Sequence, residues 1–326
     1  LRQIVFDGGP KLRVAVTGAG GFVGGFMVEE LLAAGHDVAA FIHTKTGSAR
    51  WDRSGSHDRP GWVRSVEVTD QPAVDEVLAE VSPEAVVHLA ARADPGSSWR
   101  QASETYRINI FGTSVLLEAL RSYEPKVLLV GSALQYERPA DGRPLTEADP
   151  LRADSPYSLS KIAQEHIGEL HAARHKAKVV STRSFNHTGP GQSTKYAIGS
   201  FSSQLAAIQR GGGKGTLKVG NLEAHRDYLD VRDVVKAYRL LLDGGEPGEA
   251  YNVCSGRTVS LKSILDSLVE LAGLEGSVEV QQPSRPGVHD ILVGNPTKIR
   301  STVGWEPEIP LAQSLADTLI SYGGRV

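Results

Sequence analysis

Apolar positions alternate between two spacings for most of the first half of the chain. Val14, Ala15 and Val16 form a short apolar run, after which Phe22, Val23, Met27 and Leu31 recur at helical spacing and stop at Gly35. The same exchange repeats. Strand-like runs at Asp37–Ile42, 62–66, 85–91, 126–130 and 179–183 enclose helical patterns beginning near Asp70 (Val74, Val77, Leu78, Val81), at about 103–121 and at 157–175. Strands alternating with helical crossovers predict an α/β fold, a doubly wound parallel sheet whose ligands gather at the carboxyl ends of the strands. Beyond Gln192 the pattern loosens. Helices are expected near 200–210, 231–242, 260–272, Lys298 and 311–322, with short strands around Leu217 and Tyr228 and at 250–254. This implies a first domain of residues 11–190 plus 229–256, a smaller substrate domain of 191–228 plus 257–326, and an N-terminal extension of 1–10.

The junction between the first strand and the first helix carries the first chemical signal. Gly18, Gly21 and Gly24 stand at a G-x-x-G-x-x-G spacing between a buried strand and an apolar helix. The first glycine permits the turn, the second lets backbone approach a pyrophosphate, and the third removes bulk where the helix packs on the strand. The helix N-terminus then offers N–H groups to phosphate oxygens. A dinucleotide is the expected guest, held by Gly18, Gly21, Phe22, Val23 and Gly24. The second strand ends in Ile42, His43, Thr44 and Lys45, without the acid that binds an NAD ribose 2′-hydroxyl. His43 and Lys45 therefore favour a 2′-phosphate, and NADP(H) is expected, with NAD(H) as the alternative. Glu67 and Val68 after the third strand, Leu89, Ala90 and Ala91 after the fourth, and Phe185 complete the cofactor set. Small residues at 90 and 91 would let a cofactor lie across the sheet edge. His88, inside the fourth strand, reads as a satisfied core histidine.

Composition narrows the class further. With 40% hydrophobic and 22% charged residues, the 326-residue chain can bury an enzyme-sized core. A formal net charge of −3 gives no bulk attraction to nucleic acid or to anionic membranes. One cysteine, Cys254, and the absence of a signal-peptide or membrane-spanning pattern make a reducing cytoplasm the expected compartment. His171 and His175 lack an evident third ligand, so no metal is expected. Gly211–Thr216 has the wrong spacing for a phosphate-binding P-loop.

Tyr157 and Lys161 lie four residues apart at a helix start, and so on one face. A phenol ordinarily titrates near ~10, and a neighbouring ammonium brings it towards neutrality as a proton donor. The lysine can also hydrogen-bond the ribose of the nicotinamide. Ser132, just after the fifth strand, could share the substrate oxygen with Tyr157.

These residues, with His88-Leu89-Ala90-Ala91, Asn109-Ile110-Phe111-Gly112-Thr113, Ser132 four before Tyr136, and the segment 183–191, resemble the extended short-chain dehydrogenase/reductases acting on nucleotide sugars. Ser98-Trp99, Phe185–Gln192, Val219–Ala224 with Arg226-Asp227, and Tyr251–Gly256 are similar to GDP-4-keto-6-deoxymannose reductases and GDP-mannose 4,6-dehydratases. The resemblance implies a Rossmann domain, catalysis by Ser132, Tyr157 and Lys161, and substrate contacts from Ser98, Asn186, Val219, Asn221, Arg226 and Arg285. Arg226 and Arg285 would meet the diphosphate, which suits the bidentate guanidinium. It also implies a homodimer and a GDP-linked sugar. Two positions depart from the pattern. Leu134 stands where dehydratases and many reductases carry an acid, and Glu137 stands where glycine is usual. An extended backbone there would turn Gln135 away from the face of Leu134. The expected activity is NADPH-dependent reduction of a 4-keto-6-deoxy nucleotide sugar at C4. A 4-epimerase or 4,6-dehydratase with a recycled cofactor, and a non-catalytic nucleotide-binding protein, stay open as alternatives.

Overall fold

The computed structural model describes residues 11–43, 59–282 and 290–326. The N-terminal extension, the polar loop from Thr44, Lys45 and Arg285 lie outside the described residues.

Strand β1 (Arg13–Thr17) leads through the glycine turn into helix α1 (Phe22–Ala33), followed by β2 (Asp37–Ile42) and β3 (Trp62–Ser65). Helix α2 (Gln71–Val81) starts where the Asp70 side chain accepts from the Ala73 N–H, with Pro72 in the first turn, and it buries Val74, Val77, Leu78 and Val81. Next come β4 (Ala85–His88), short helices α3 (Pro95–Ser98) and α4 (Ala102–Tyr106), and a π-helical turn, Arg107–Phe111. Helix α5 (Gly112–Ala119) then leads to β5 (Lys126–Val130). The single helix expected over 103–121 is thus interrupted. The wider turn fits at Asn109, whose buried side chain bonds outside the helix.

Helix α6 (Pro156–His175) precedes β6 (Lys178–Ser184) and β7 (Asn186–Thr188). The remainder comprises α7 (Ala197–Arg210), β8 (Gly215–Lys218), β9 (Ala224–Arg226), β10 (Tyr228–Asp230) and α8 (Val231–Gly244). It continues with β11 (Ala250–Val253), β12 (Val259–Ser260), α9 (Leu261–Leu271), β13 (Val278–Gln281), β14 (Asp290–Leu292), α10 (Thr297–Val303) and α11 (Leu311–Ser321).

The main sheet runs β11-β6-β5-β4-β1-β2-β3, with parallel pairing from β5 through β3. Its non-sequential order, with helical crossovers, is the doubly wound parallel arrangement that the periodicity predicts. Burial of Val14–Val16, Val38–Phe41 and Ala85–Val87 explains why these strands read as continuous apolar runs.

The chain folds as two compact units. The first takes the chain up to Val130, Ser155–Ser181 and Leu241–Glu249; the second takes Gly131–Asp154, Thr182–Leu240 and Ala250–Val326. These cuts differ from the boundaries expected from sequence. Gly131–Asp154 joins the later chain because its bonds run there: Gly131 N to Thr182 O (2.9 Å), Leu145 N to Val293 O (2.9 Å) and Tyr136 Oη to Asn252 Oδ1 (2.7 Å). The core of the second unit joins Ile198, Phe201 and Leu205 to Ile264, Leu265, Leu268, Leu315 and Leu319.

Candidate active site

In the first unit, Gly18 has φ +68°, and a Cβ there would stand 2.7 Å from Ala90 N and 2.9 Å from Leu89 C. The turn therefore lies directly on the backbone that follows β4, which only glycine allows. Thr17 Oγ1 fastens the contact by accepting from Ala90 N at 3.1 Å. Gly21 caps α1 without a side-chain hydrogen bond, and a Cβ there would meet Gly18 O alone, at 3.2 Å. A Cβ on Gly24 would overlap Gly18 O and crowd Ala19 Cα at 2.7 Å. The third glycine thus packs against the turn itself rather than against the strand, because the helix doubles back over it. A helix N-terminus lacking a side-chain cap, beside backbone stripped of Cβ atoms, fits a pyrophosphate.

The edge of this cradle differs from the expected one. His43 Nε2 lies 3.3 Å from Glu67 Oε2, both side chains being partly exposed. The carboxylate missing from the end of β2 thus arrives from the segment after β3. Glu67 Oε1 also accepts from Thr69 Oγ1 at 3.0 Å, and Arg107 reaches the same oxygen at 4.0 Å. Val68 is buried against Gly112.

Tyr157 and Lys161 open α6, where Ser155 and Ser158 form a reciprocal capping box and Pro156 takes the first turn. Both side chains are buried. The Lys161 ammonium donates to Val130 O at 2.8 Å and to Gln164 Oε1 at 2.9 Å, and burial brings its pKa down to about 7. Between the glycine turn and this helix, His88 is bonded through both ring nitrogens, Nδ1 to Thr17 Oγ1 (2.8 Å) and Nε2 to Thr113 Oγ1 (3.0 Å). Thr113 donates onward to Asn109 O and Thr17 accepts from Ala90, so the chain of donors makes His88 a neutral Nε2–H tautomer. Burial, with the Lys161 charge second, holds its pKa at about 3. It is the satisfied core histidine expected from sequence. Asn109 Nδ2 then donates to Ser160 Oγ at 2.9 Å, tying the π-helical turn to α6. Ser98, also in this unit, is buried and donates to Pro95 O at 2.7 Å.

The remaining predicted residues fall in the second unit. Ser132 follows the end of β5 and opens a 3-10 turn, Ala133–Gln135, with its Oγ accepting from Leu134 N at 3.2 Å and its N–H donating to Gln135 Oε1 at 2.7 Å. The segment is therefore a capped turn, not the extended strand assumed for Gln135. Leu134 packs against an apolar cluster containing Ala133, Tyr136, Leu145, Phe185, Cys254 and Leu292. Burial raises the Cys254 thiol well above its usual range. Phe185 is buried there, and Asn186 begins β7. Asn221 Oδ1 is committed to Glu223 N at 2.9 Å, and Val219 is buried. Arg226 pairs with Asp290, whose carboxylate also takes Arg138 at 2.5 Å. Tyr157 and Lys161 thus share one helix, while Ser132, Asn186 and Arg226 belong to the other unit. Sequence reasoning missed Gln164, Glu67 as the partner of His43, and Arg138. Gln164 stands one turn from Lys161 on the same helix, a local signal, whereas Glu67 and Arg138 stand at no motif spacing and only the fold gives them their partners.

A doubly wound sheet, a glycine-built cradle at the end of β1 and a buried tyrosine–lysine helix define a short-chain dehydrogenase/reductase. Residues 15–318 match the model of the family described as GDP-mannose 4,6 dehydratase, and the chain belongs to that family. It is 32% identical over 319 residues to the GDP-6-deoxy-D-mannose reductase of Pseudomonas aeruginosa, covering 96% of this chain and 98% of the relative. The solved structure of RMD from Pseudomonas aeruginosa complexed with NADPH is similar with a TM-score of 0.83 and 30% identity, over 96% of this chain and 99% of that one. The UDP-glucose 4-epimerase of Thermus thermophilus in complex with NAD is similar to the same degree, with a TM-score of 0.83 and 31% identity over 96% and 100% of the two chains.

Proposed function

We propose that this enzyme is an NADP(H)-dependent reductase acting at C4 of a 4-keto-6-deoxy nucleotide sugar, GDP-linked as in the Pseudomonas aeruginosa relative. The observation that carries the reading is Leu134. Elimination of water across C5 and C6 needs a group that exchanges protons near that carbon. The position where family dehydratases hold an acid is a partly buried leucine packed against an apolar cluster, and its neighbour Gln135 is committed to Ser132 N. Carbonyl reduction needs no such group.

Gly18, Gly21, Phe22, Val23 and Gly24 would hold the pyrophosphate, with His43, Glu67, Val68 and Leu89–Ala91 at the adenosine side and Phe185 and Lys161 towards the nicotinamide. When bound, that cofactor supplies a hydride. Tyr157 gives the phenolic proton to the C4 oxygen, so that a carbonyl becomes a secondary alcohol. The Lys161 ammonium stabilises the phenolate left behind, and Ser132 hydrogen-bonds the same oxygen. Ser98, Asn186, Val219, Asn221, Arg226 and Arg285 serve the nucleotide sugar, the two arginines at its diphosphate. Exposed Phe111, Leu159 and Leu170 support a homodimer.

A redox-neutral 4-epimerase is the second reading, favoured by the equal likeness to the Thermus thermophilus enzyme. One experiment separates the three activities. The enzyme is incubated with GDP-mannose and catalytic oxidised cofactor, or with the 4-keto-6-deoxy product and NADPH, and the sugars are read by mass spectrometry while NADPH absorbance is followed. Stoichiometric NADPH loss with the keto sugar, and unchanged GDP-mannose, is the expected result. Loss of water from GDP-mannose overturns it in favour of a dehydratase. Tightly retained oxidised cofactor with no net NADPH consumption overturns it in favour of an epimerase.

A further inference from the structure

Lys161 does not hang freely in its buried site. Its ammonium donates to Val130 O and to Gln164 Oε1, and Gln164 Nε2 donates to that same carbonyl at 3.2 Å. Gln164 is 1% exposed, so water does not compete for these bonds. The carbonyl at the end of β5 thus takes two donors, one from each side chain, and Gln164 closes a three-membered ring of hydrogen bonds. An ammonium has three donors on a flexible stem, and anchoring two of them fixes the direction of the third. An amide suits the place because it accepts from the ammonium while donating to the carbonyl. Leucine could do neither, and a carboxylate could do only the first.

We propose that Gln164 is a positioning residue for Lys161, holding its ammonium charged and its remaining N–H aimed. The assignment rests on the reading of Lys161 as a ligand of the nicotinamide ribose. Among the described residues, His88 from β4 feels the Lys161 charge and is neutral, Tyr157 and Glu165 stand one turn before and one turn after Lys161 on α6, and β5 faces it with the Val130 carbonyl. Burial has already brought Lys161 to about 7, so the loss of a single acceptor falls where its charge is decided.

The test is NADPH affinity by fluorescence titration between about pH 6 and about pH 10, in wild type, Gln164→Leu and Gln164→Glu. Affinity should fall as pH rises through the Lys161 pKa. Removing the neutral acceptor moves that midpoint down by about one pH unit, and a carboxylate in its place moves it up by a similar amount. A residue that merely packs would move both midpoints alike or neither, and either result overturns the proposal. Thermal unfolding checks that each variant is folded, and Gln164→Met replaces the leucine variant if that one is not. A wild type that binds no nicotinamide nucleotide would instead refute the cofactor reading. Binding whose pH dependence is abolished by Lys161→Met but untouched in the Gln164 variants would refute this one.

Discussion

The glycine cradle of the first unit and the charged cluster around Arg226 in the second are built from different materials. The cradle is made of backbone: glycines with no room for a Cβ, a bare helix N-terminus, and neutral side chains such as His88, Thr17 and Thr113 that satisfy one another completely. The Arg226 region is made of long charged side chains drawn from residues 138, 226 and 290, and a carboxylate there is held below its usual range by the two arginines against the opposing effect of burial. A backbone site is fixed by local sequence and tolerates almost no substitution. A side-chain site depends on chain segments far apart and can be retuned one residue at a time.

The largest effect is expected where chemistry depends on one atom. Tyr157→Phe removes the phenolic oxygen from a buried position and leaves the ring, so turnover should fall by roughly 10²–10⁴-fold, the usual worth of general acid catalysis. NADPH affinity should change little, because Lys161 and the glycine turn remain. Steady-state kinetics beside a binding titration checks both halves. Near-normal turnover would remove Tyr157 from its role.

The second expectation separates the close backbone approach in the cradle from left-handed strain alone. Gly18→Ala puts a methyl group 2.7 Å from Ala90 N at a positive φ, combining left-handed strain with overpacking, a cost of about 2–4 kcal/mol. Gly35, with φ +84° and open space around it, should lose only the backbone part on the same change, about 1–2 kcal/mol. Chemical denaturation of the two variants decides the matter. Equal losses would mean that the close approach to Ala90 contributes nothing.

The same contrast governs how much could be read in advance. The parallel sheet was legible because Val14–Val16, Val38–Phe41 and Ala85–Val87 are buried on both faces and leave an apolar run. The glycine spacing and the Tyr157–Lys161 pair were legible because their geometry is local, one turn and one helix face. The broken helix at Arg107–Phe111 was not, since the bonds that accompany it, from Asn109 to Ser160 and Arg92, are tertiary. The capped turn at Ala133–Gln135 was equally hidden, because Gln135 reads as an ordinary polar residue until its side chain is seen on Ser132 N. The compact units are cut at other places than the expected domains for the same reason. Gly131–Asp154 follows its hydrogen bonds to Thr182, Asn252 and Val293, and nothing in its own sequence announces those partners.

The smallest expected effect lies at the one edge where the cradle is itself made of side chains. His43 can pair with a 2′-phosphate, which favours NADPH, yet Glu67 stands 3.3 Å from its Nε2 and repels the same phosphate. The two effects oppose, so the preference for NADPH over NADH should be modest, roughly tenfold or about 1.4 kcal/mol. Glu67→Gln keeps the size and removes the charge, and should widen the preference by tightening NADPH while leaving NADH nearly unchanged. His43→Asp places a second carboxylate at the 2′ position and should reverse it. Both side chains are partly exposed, so added salt should weaken each effect by screening. Titration of both cofactors against the three proteins at low and high ionic strength reads all of this together. Wild-type affinity equal for NADH and NADPH, unchanged in Glu67→Gln, would mean that the ribose binds beyond the reach of His43 and Glu67, and would return the choice of cofactor to backbone geometry.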